Sequence, residues 1–188
     1  SCCRLVREYQ LDGLKLDFID SIAPDAAGET ALRGRDTVSL MEGIERLLSG
    51  IRRTLTALNP DIIIEFRQHY TGPRMRKYGN VFRAADCAHD LLQNRMRTIA
   101  LRLLGGTSAI HSDIWSEYDT VQVAALQILN VLFSVPQISV RLSGESPEKR
   151  RMLAFWMRFC TEHRNVLQGG KLRPEHPELS YPVVTASG

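Results

Sequence analysis

The stretch LDGLKLDFID, which runs from Leu11 to Asp20, decides the fold of this chain. Apolar side chains alternate in it with Lys15 and Asp17, which is the period of a β-strand, and we predict a strand over 13–19. Because Ile19 follows directly, both faces of this strand are expected to be largely buried, as in a parallel sheet. Charged side chains are costly there unless they meet each other, a ligand or water. The carboxyl end of the strand is the least costly place for them, and catalytic groups of (β/α) barrels lie at that end.

Strands and helices alternate along the rest of the chain. The predicted strands are 13–19, 61–67, 80–85, 107–114 and 136–142, and the predicted helices are 2–10, 37–58, 88–104, 120–134 and 147–165. We expect Asp36 to cap the second helix and Ser146, followed by Pro147, to start the last one. The alternation implies parallel βα units with right-handed crossovers. Five strands are too few for a closed eight-stranded barrel, so an open doubly wound sheet and the C-terminal half of a (β/α)₈ TIM barrel remain.

Charged or polar side chains follow every predicted strand at its carboxyl end. They are Asp17 and Asp20, Glu65 and Arg67, Asp86, His111 and Asp113, and Arg141. The crevice of an open sheet uses only two or three strands, whereas the funnel of a barrel draws on all of them. This distribution favours the half barrel.

The composition is that of an ordinary globular domain. The 188 residues carry a net charge of +3 and are 44% hydrophobic, which is enough for one domain with a core. The basic residues are scattered, so a nucleic-acid partner is not expected. No apolar run approaches the length of a membrane span. The four cysteines lack a metal or disulfide spacing, and we interpret them as free thiols of a cytoplasmic protein.

Several carboxylates are expected to converge with basic side chains at the rim. No Gly-rich phosphate loop or Ser-elbow motif is present, and Gly105-Gly106 precedes a strand and is interpreted as a helix cap. The pair His111 and Asp113 could hold a metal, but a hydrogen-bonded pair is favoured. Two carboxylates from different strands suit glycoside hydrolysis. Lys15, on the same face as Asp17, would keep that carboxyl ionised and bind a sugar hydroxyl.

Three ordered segments resemble a known family. Lys15-Leu-Asp17-Phe resembles the Lys-x-Asp nucleophile motif of clan-D retaining α-glycosidases, most closely the family 36 melibiases, which are α-galactosidases. Ile64-Glu65 with Gly72-Pro-Arg74, and then Arg83-Ala-Ala-Asp86, are similar to the family's Glu-x-Cys-x-x-Gly-Gly-x-Arg and Trp-x-Ser-Asp segments. Arg67 stands where the family has cysteine, Gly72-Pro73 replaces Gly-Gly, and Ala84-Ala85 replaces the Trp-x-Ser context. Because that cysteine contacts the sugar in the family, galactose specificity is left open.

The resemblance implies a catalytic pair and a domain arrangement. Asp17 would be the nucleophile and Asp86 the acid/base of an α-galactosidase-like retaining glycosidase that needs no metal or organic cofactor. The residues expected to bind the glycoside substrate are Lys15, Glu65, Arg67, Arg74, His111 and Asp113. Residues 1–170 would form strands four to eight of the barrel, and 171–188 would be a linker toward a C-terminal β-sandwich. The fragment alone is expected to be inactive, and the full-length protein is a possible homo-oligomer.

Other interpretations of the same residues stay open. Asp86 could be a helix N-cap, with Asp90 as the rival acid. Glu65, Arg67 and Arg74 could form an ion network without substrate contact, and Trp115 with Tyr118 could be a sugar-stacking platform. The alternative functions are another clan glycosidase, such as an α-glucosidase or α-xylosidase, and a non-catalytic carbohydrate-binding barrel.

Overall fold

Seven strands and six α-helices make up the described part of the chain. The computed structural model describes residues 2–22, 36–37, 39–67, 72–84, 90–114 and 120–188. The helices are α1 (Cys2–Tyr9), α2 (Leu40–Leu58), α3 (Leu91–Gly105), α4 (Val121–Asn130), α5 (Pro147–Glu162) and α6 (Arg164–Gly169). The strands are β1 (Gly13–Asp17), β2 (Ile63–Arg67), β3 (Val81–Arg83), β4 (Ala109–Ile114), β5 (Val135–Ile138), β6 (Lys171–Glu175) and β7 (Val183–Ser187).

The first five strands form one sheet whose strand order follows the chain, β1-β2-β3-β4-β5. β1 pairs with β2 and β4 pairs with β5, both in parallel. The predicted α/β class, with five parallel strands and flanking helices as in part of a (β/α)₈ barrel, is confirmed. β1 and β5 are the two edge strands, and within the described residues they do not pair with each other.

The chain divides into two compact units, and the first is Ser1–Val81. In β2 the side chains of Ile64 and Phe66 are fully buried, while the alternate positions are more accessible. Gly79 lies against this strand, and a Cβ there would come within 2.6 Å of the Phe66 ring. Only glycine permits that approach. Asn80 completes the strand edge, because its side chain accepts from Ile64 N and donates to Ile62 O.

The second unit is Phe82–Gly188, and its core lies between helices and β4. Ile114 of β4, Ile128 and Val131 around the end of α4, and Leu153 of α5 form one buried cluster. α3 packs on β4, where the buried Thr98 and Ser112 hydroxyls are 2.7 Å apart. Both polar groups are thereby satisfied at a site without access to water.

The predicted linker over 171–188 contains an antiparallel pair, β6 with β7. The buried Arg102 of α3 donates to Leu167 O and Gly170 O at the end of α6, just before this hairpin. Arg95, also of α3, donates to Tyr181 O in the loop between the two strands. The segment is therefore a paired hairpin that hydrogen bonds join to α3. Its role as a linker stays a prediction.

Several predicted boundaries need correction. α2 begins after Ser39, whose Oγ accepts from Glu42 N, so Ser39 and not Asp36 is its N-cap. β1 ends at Asp17, because Phe18 takes a left-handed φ of 55° and leaves the strand. The prediction that both faces of β1 are largely buried was also wrong, because none of its residues is fully buried. β1 is an edge strand and lacks a neighbouring strand on one side. β5 ends at Ile138, three residues before Arg141.

Candidate active site

Asp17 lies at the carboxyl end of β1 with a cation on each carboxylate oxygen. Its Oδ2 is 3.1 Å from Lys15 Nζ, and its Oδ1 is 3.0 Å from Arg67 Nη1. Lys15 is two residues earlier on the same face of β1, and Arg67 is the register partner of Asp17 on β2. The predicted meeting of Lys15 with Asp17 is thus found, with Arg67 as a further partner supplied by strand pairing.

The electrostatics around Asp17 favour the ionised carboxylate. Burial acts against the charge, but hydrogen bonds from Lys15, Arg67 and the backbone N–H of Phe18 outweigh it and hold the pKa of Asp17 below its ordinary value. Charge-assisted hydrogen bonds of this kind stabilise the anion directly. Asp17 is therefore an anion throughout the neutral range.

Phe18 lies between the charged cluster of Lys15, Asp17 and Arg67 and the 3₁₀ turn Ile19–Ser21 that follows β1. Its ring is 67% exposed, and the Arg67 guanidinium lies 5.6 Å from the ring centroid. Its left-handed backbone allows its N–H to turn back to Asp17 Oδ1 at 3.0 Å. Arg67 is thus held between a carboxylate and an aromatic face, which limits the orientations of its planar fork.

Two other predicted substrate ligands lie in the same unit. Glu65 is the register partner of Lys15 on β2, two residues before Arg67, which is the register partner of Asp17. Arg74 instead forms an ion pair with Glu45 of α2, which Lys77 shares. Hydrogen bonds from Lys77 and Arg74 hold the pKa of Glu45 below its ordinary value. The structure gives Arg74 a helix partner, and its substrate-binding role stays a prediction.

Unit two carries a second charged pair at strand ends. The Arg83 guanidinium of β3 forms an ion pair with Asp113 Oδ2 of β4, and the two side chains are only 10% and 11% exposed. His111 shares the face of β4 with Asp113, while Ile110, Ser112 and Ile114 are buried on the other face. The structure gives Asp113 an arginine partner, and the predicted hydrogen-bonded pair of His111 with Asp113 stays a prediction. Sequence reasoning missed Arg83, although a basic residue inside the short apolar strand Val81–Arg83 was a signal for a buried partner.

Several predicted residues lie outside the described part of the chain. They are Asp86, Trp115 and Tyr118, the fourth cysteine, Cys87, and the side chain of Asp20. The Asp17–Asp86 separation and the single cleft expected to hold Asp17, Glu65, Asp86, His111 and Asp113 therefore stay predictions.

The described residues offer no metal centre. Within the described ranges, no three His, Cys, Asp or Glu side chains gather closely enough to hold an ion. Cys2, Cys3 and Cys160 are free thiols, as predicted for them. In the part of the chain that the structure covers, no helix has both the length and the apolar character of a membrane span.

Two solved structures that share this fold are those of α-galactosidases. The galactosidase domain of the α-galactosidase–sucrose kinase AgaSK matches 95% of this chain at a TM-score of 0.67 and 13% identity, over 24% of its own chain. The GH36 α-galactosidase AgaB from Geobacillus stearothermophilus matches 88% of this chain at a TM-score of 0.65 and 14% identity, over 23% of its own. No protein-family model and no curated protein matches the sequence. The chain thus has the fold of about a quarter of these α-galactosidase chains, and the predicted resemblance is confirmed at the level of fold.

Proposed function

We propose that this chain is part of the catalytic barrel of a retaining, α-galactosidase-like glycosidase that hydrolyses O-glycosidic bonds. The observation that carries the proposal is Asp17, ionised at a strand's carboxyl end beside Lys15 and Arg67. Catalytic groups of (β/α) barrels lie at that end. The fold shared with two α-galactosidase structures supports the same reading.

The proposed reaction is a double displacement. Asp17 attacks the anomeric carbon and forms a glycosyl–enzyme ester, while the glycosidic C–O bond breaks and Asp86 donates its proton to the leaving oxygen. Asp86, then a carboxylate, removes a proton from water, and the water oxygen attacks the anomeric carbon and releases Asp17. Lys15 and Arg67 keep Asp17 anionic before the first step. No metal or cofactor takes part in this scheme.

The test uses the full-length polypeptide that carries these residues and a panel of aryl α-glycosides. Asp17→Ala should abolish turnover, and azide should restore it by giving a glycosyl azide of inverted configuration. Asp61→Ala is the matched control, because Asp61 is an exposed aspartate of the same unit. Asp86→Ala should slow poor leaving groups far more than activated ones, since only the former need the proton. Retention of most activity in Asp17→Ala would remove Asp17 from the nucleophile role.

Two observations favour alternatives that the same panel separates. Arg67, in place of the family's cysteine, favours a sugar other than galactose, as in an α-glucosidase or α-xylosidase. Cations on both oxygens of Asp17 favour a non-catalytic carbohydrate-binding barrel, because they stabilise the carboxylate and lower its nucleophilicity. Hydrolysis of one α-glycoside identifies the sugar, and binding without hydrolysis would support the non-catalytic barrel.

A further inference from the structure

Phe18 is an aromatic residue in a backbone conformation that its side chain disfavours. Its φ of 55° and ψ of 22° lie in the left-handed region, where the Cβ of an L-residue crowds the following carbonyl oxygen. Glycine and asparagine adopt this region more readily, and a bulky side chain there is an outlier. The chain therefore carries backbone strain at this position that glycine or asparagine would relieve.

Neighbouring groups hold the strained conformation in place. The Phe18 N–H donates to Asp17 Oδ1 at 3.0 Å, and the Phe18 carbonyl oxygen accepts from Ser21 N, also at 3.0 Å. Strained residues persist where the surrounding structure fixes them in this way, and they cluster at active sites and ligand clamps. Since an asparagine could make the same backbone contacts, the reason for phenylalanine has to lie in its side chain.

Packing within the unit does not account for an aromatic side chain at this position. Phe18 is 67% exposed, so folding removes only a minor part of its apolar surface from water. The Arg67 guanidinium lies 5.6 Å from the ring centroid, and a cation–π contact of this kind contributes modestly at an exposed site. The ring is thus held in water beside a charged cluster, where burial offers little to offset the strain.

The ring belongs to the residue that directly follows the proposed nucleophile. Asp17 ends β1 and Phe18 comes next, at the end of the strand where (β/α) barrels bind their substrates. A pyranose ring presents C–H groups on one face, and these are apolar with a partial positive charge. The face of an aromatic ring is apolar with a partial negative charge, so the two surfaces attract each other. The apolar face of a sugar therefore has the chemistry that this exposed ring would recognise.

We propose that Phe18 is a substrate-binding residue whose ring packs on the apolar face of the sugar that Asp17 attacks. The inference rests on the proposed function, in which Asp17 is the nucleophile. The competing role for the ring is to orient Arg67, and through it Asp17, without touching the substrate. The two roles differ in what they predict for binding and for pH dependence.

The test compares Phe18→Asn, Phe18→Trp and Tyr9→Asn in the full-length polypeptide. Asparagine removes the ring and tolerates a left-handed φ, whereas tryptophan keeps an aromatic face. Tyr9 is the matched control, because it is 63% exposed in the same unit but ends α1, before β1 begins. Urea unfolding, hydrolysis of an aryl α-glycoside and competitive inhibition by the matching methyl α-glycoside are measured for each variant.

Sugar stacking predicts a loss of binding without a loss of stability. In Phe18→Asn the urea midpoint should stay the same or rise, because the backbone strain is relieved. KM for the aryl glycoside and the inhibition constant of the methyl glycoside should both rise about fivefold to tenfold, with kcat little changed. The acid limb of the pH profile of kcat/KM should not move. Phe18→Trp should stay within about twofold of the unmodified polypeptide, and Tyr9→Asn should change none of these quantities.

Other results would overturn the inference. A lower urea midpoint in Phe18→Asn would show that the ring serves packing in the full-length polypeptide. An acid limb displaced to higher pH, with KM unchanged, would make Phe18 a positioning residue for Arg67, because losing that hydrogen bond raises the pKa of Asp17. Weaker binding of the aryl glycoside with an unchanged methyl glycoside would place the aryl group, and not the sugar, on the ring.

Failure of the proposed function is distinguishable from failure of this contact. If the unmodified polypeptide hydrolyses no aryl α-glycoside, the proposed function fails. Titration with methyl α-glycosides, followed by NMR of the phenylalanine rings, then decides the contact, and the Phe18 signals are identified by their absence from Phe18→Asn. Shifts of these signals with one glycoside would support the contact, and unchanged signals with every glycoside would overturn it.

Discussion

Asp17 shares its carboxylate between two cations from different strands. The contact with Lys15 was predictable, because Lys15 lies two residues before Asp17 and residues two apart on a strand share a face. The Arg67 contact depends on the register of β1 with β2, which places Asp17 opposite Arg67. Register follows from pairing between segments fifty residues apart, so the sequence pattern alone could not supply it.

Removing Arg67 should raise the pKa of Asp17. Arg67→Met keeps the length of the side chain but deletes the hydrogen bond and charge on Oδ1, so the pKa should move up toward about 3.9, the ordinary value for aspartate. A carbon-detected NMR titration of the Asp17 carboxyl measures it. Arg74→Met is the control, since Arg74 pairs with Glu45 and should leave the Asp17 titration unchanged.

The same lowered pKa gives Asp17 a pH-dependent contribution to stability. Because the folded-state pKa is below the unfolded one, the contribution is complete above about pH 4 and is lost as the pH falls through the folded-state value. The free energy of unfolding should therefore fall more steeply with acid in the unmodified chain than in Arg67→Met. Parallel curves for the two proteins would contradict this account.

Helix ends show where local sequence signals suffice. Ser146 accepts from Lys149 N with Pro147 in the first turn, as predicted, and Gly106 takes a φ of 59° after α3. Each of these capping signals lies within four consecutive residues, so the local sequence is enough to predict it. The N-cap of α2 was assigned wrongly, because Asp36 and Ser39 are both residue types that favour this position. Ser39 is followed three residues later by Glu42, and this capping-box spacing was the signal that favoured it.

The corrected cap of α2 gives a prediction at the level of one helix. Ser39→Ala should lower the free energy of unfolding by about 1 kcal/mol, because Glu42 N loses its side-chain acceptor. Asp36→Ala is the paired comparison and should cost much less, since the structure assigns the cap to Ser39. Urea unfolding followed by circular dichroism measures both, and a larger loss in Asp36→Ala would restore the original assignment.

The contact of α3 with β4 depends on one buried hydroxyl pair. Thr98→Val removes one partner and leaves the Ser112 hydroxyl buried without it, which should cost about 1–3 kcal/mol. The double variant Thr98→Val with Ser112→Ala removes both polar groups and should recover most of that loss. Additive losses in the two single variants and the double, measured by urea unfolding, would mean that packing and not hydrogen bonding holds this contact.

At the scale of the whole molecule, the order of elements was predictable and their pairing partners were not. Alternating strand and helix patterns gave the α/β class, since hydrophobic periodicity is a local property. The Arg83–Asp113 pair and the fastening of the C-terminal hairpin by Arg95 and Arg102 join distant segments. Such contacts leave only weak marks in a single sequence, such as a basic residue in an apolar run.

The open sheet gives the last prediction. Edge strands present unpaired N–H and C=O groups that can pair with another chain, and β1 and β5 are both edges within the described residues. Val135 on β5 is 39% exposed, which adds apolar surface to that edge. The 188-residue chain should therefore self-associate in a concentration-dependent way in sedimentation velocity.

Val135→Lys should reduce association, because an edge lysine opposes strand addition. Leu179→Lys is the control: Leu179 is 66% exposed but belongs to the loop between β6 and β7 and not to β1 or β5. Equal reductions in the two variants would assign the association to general apolar exposure, and a monomer at all concentrations would show that the edges of the sheet are protected in solution.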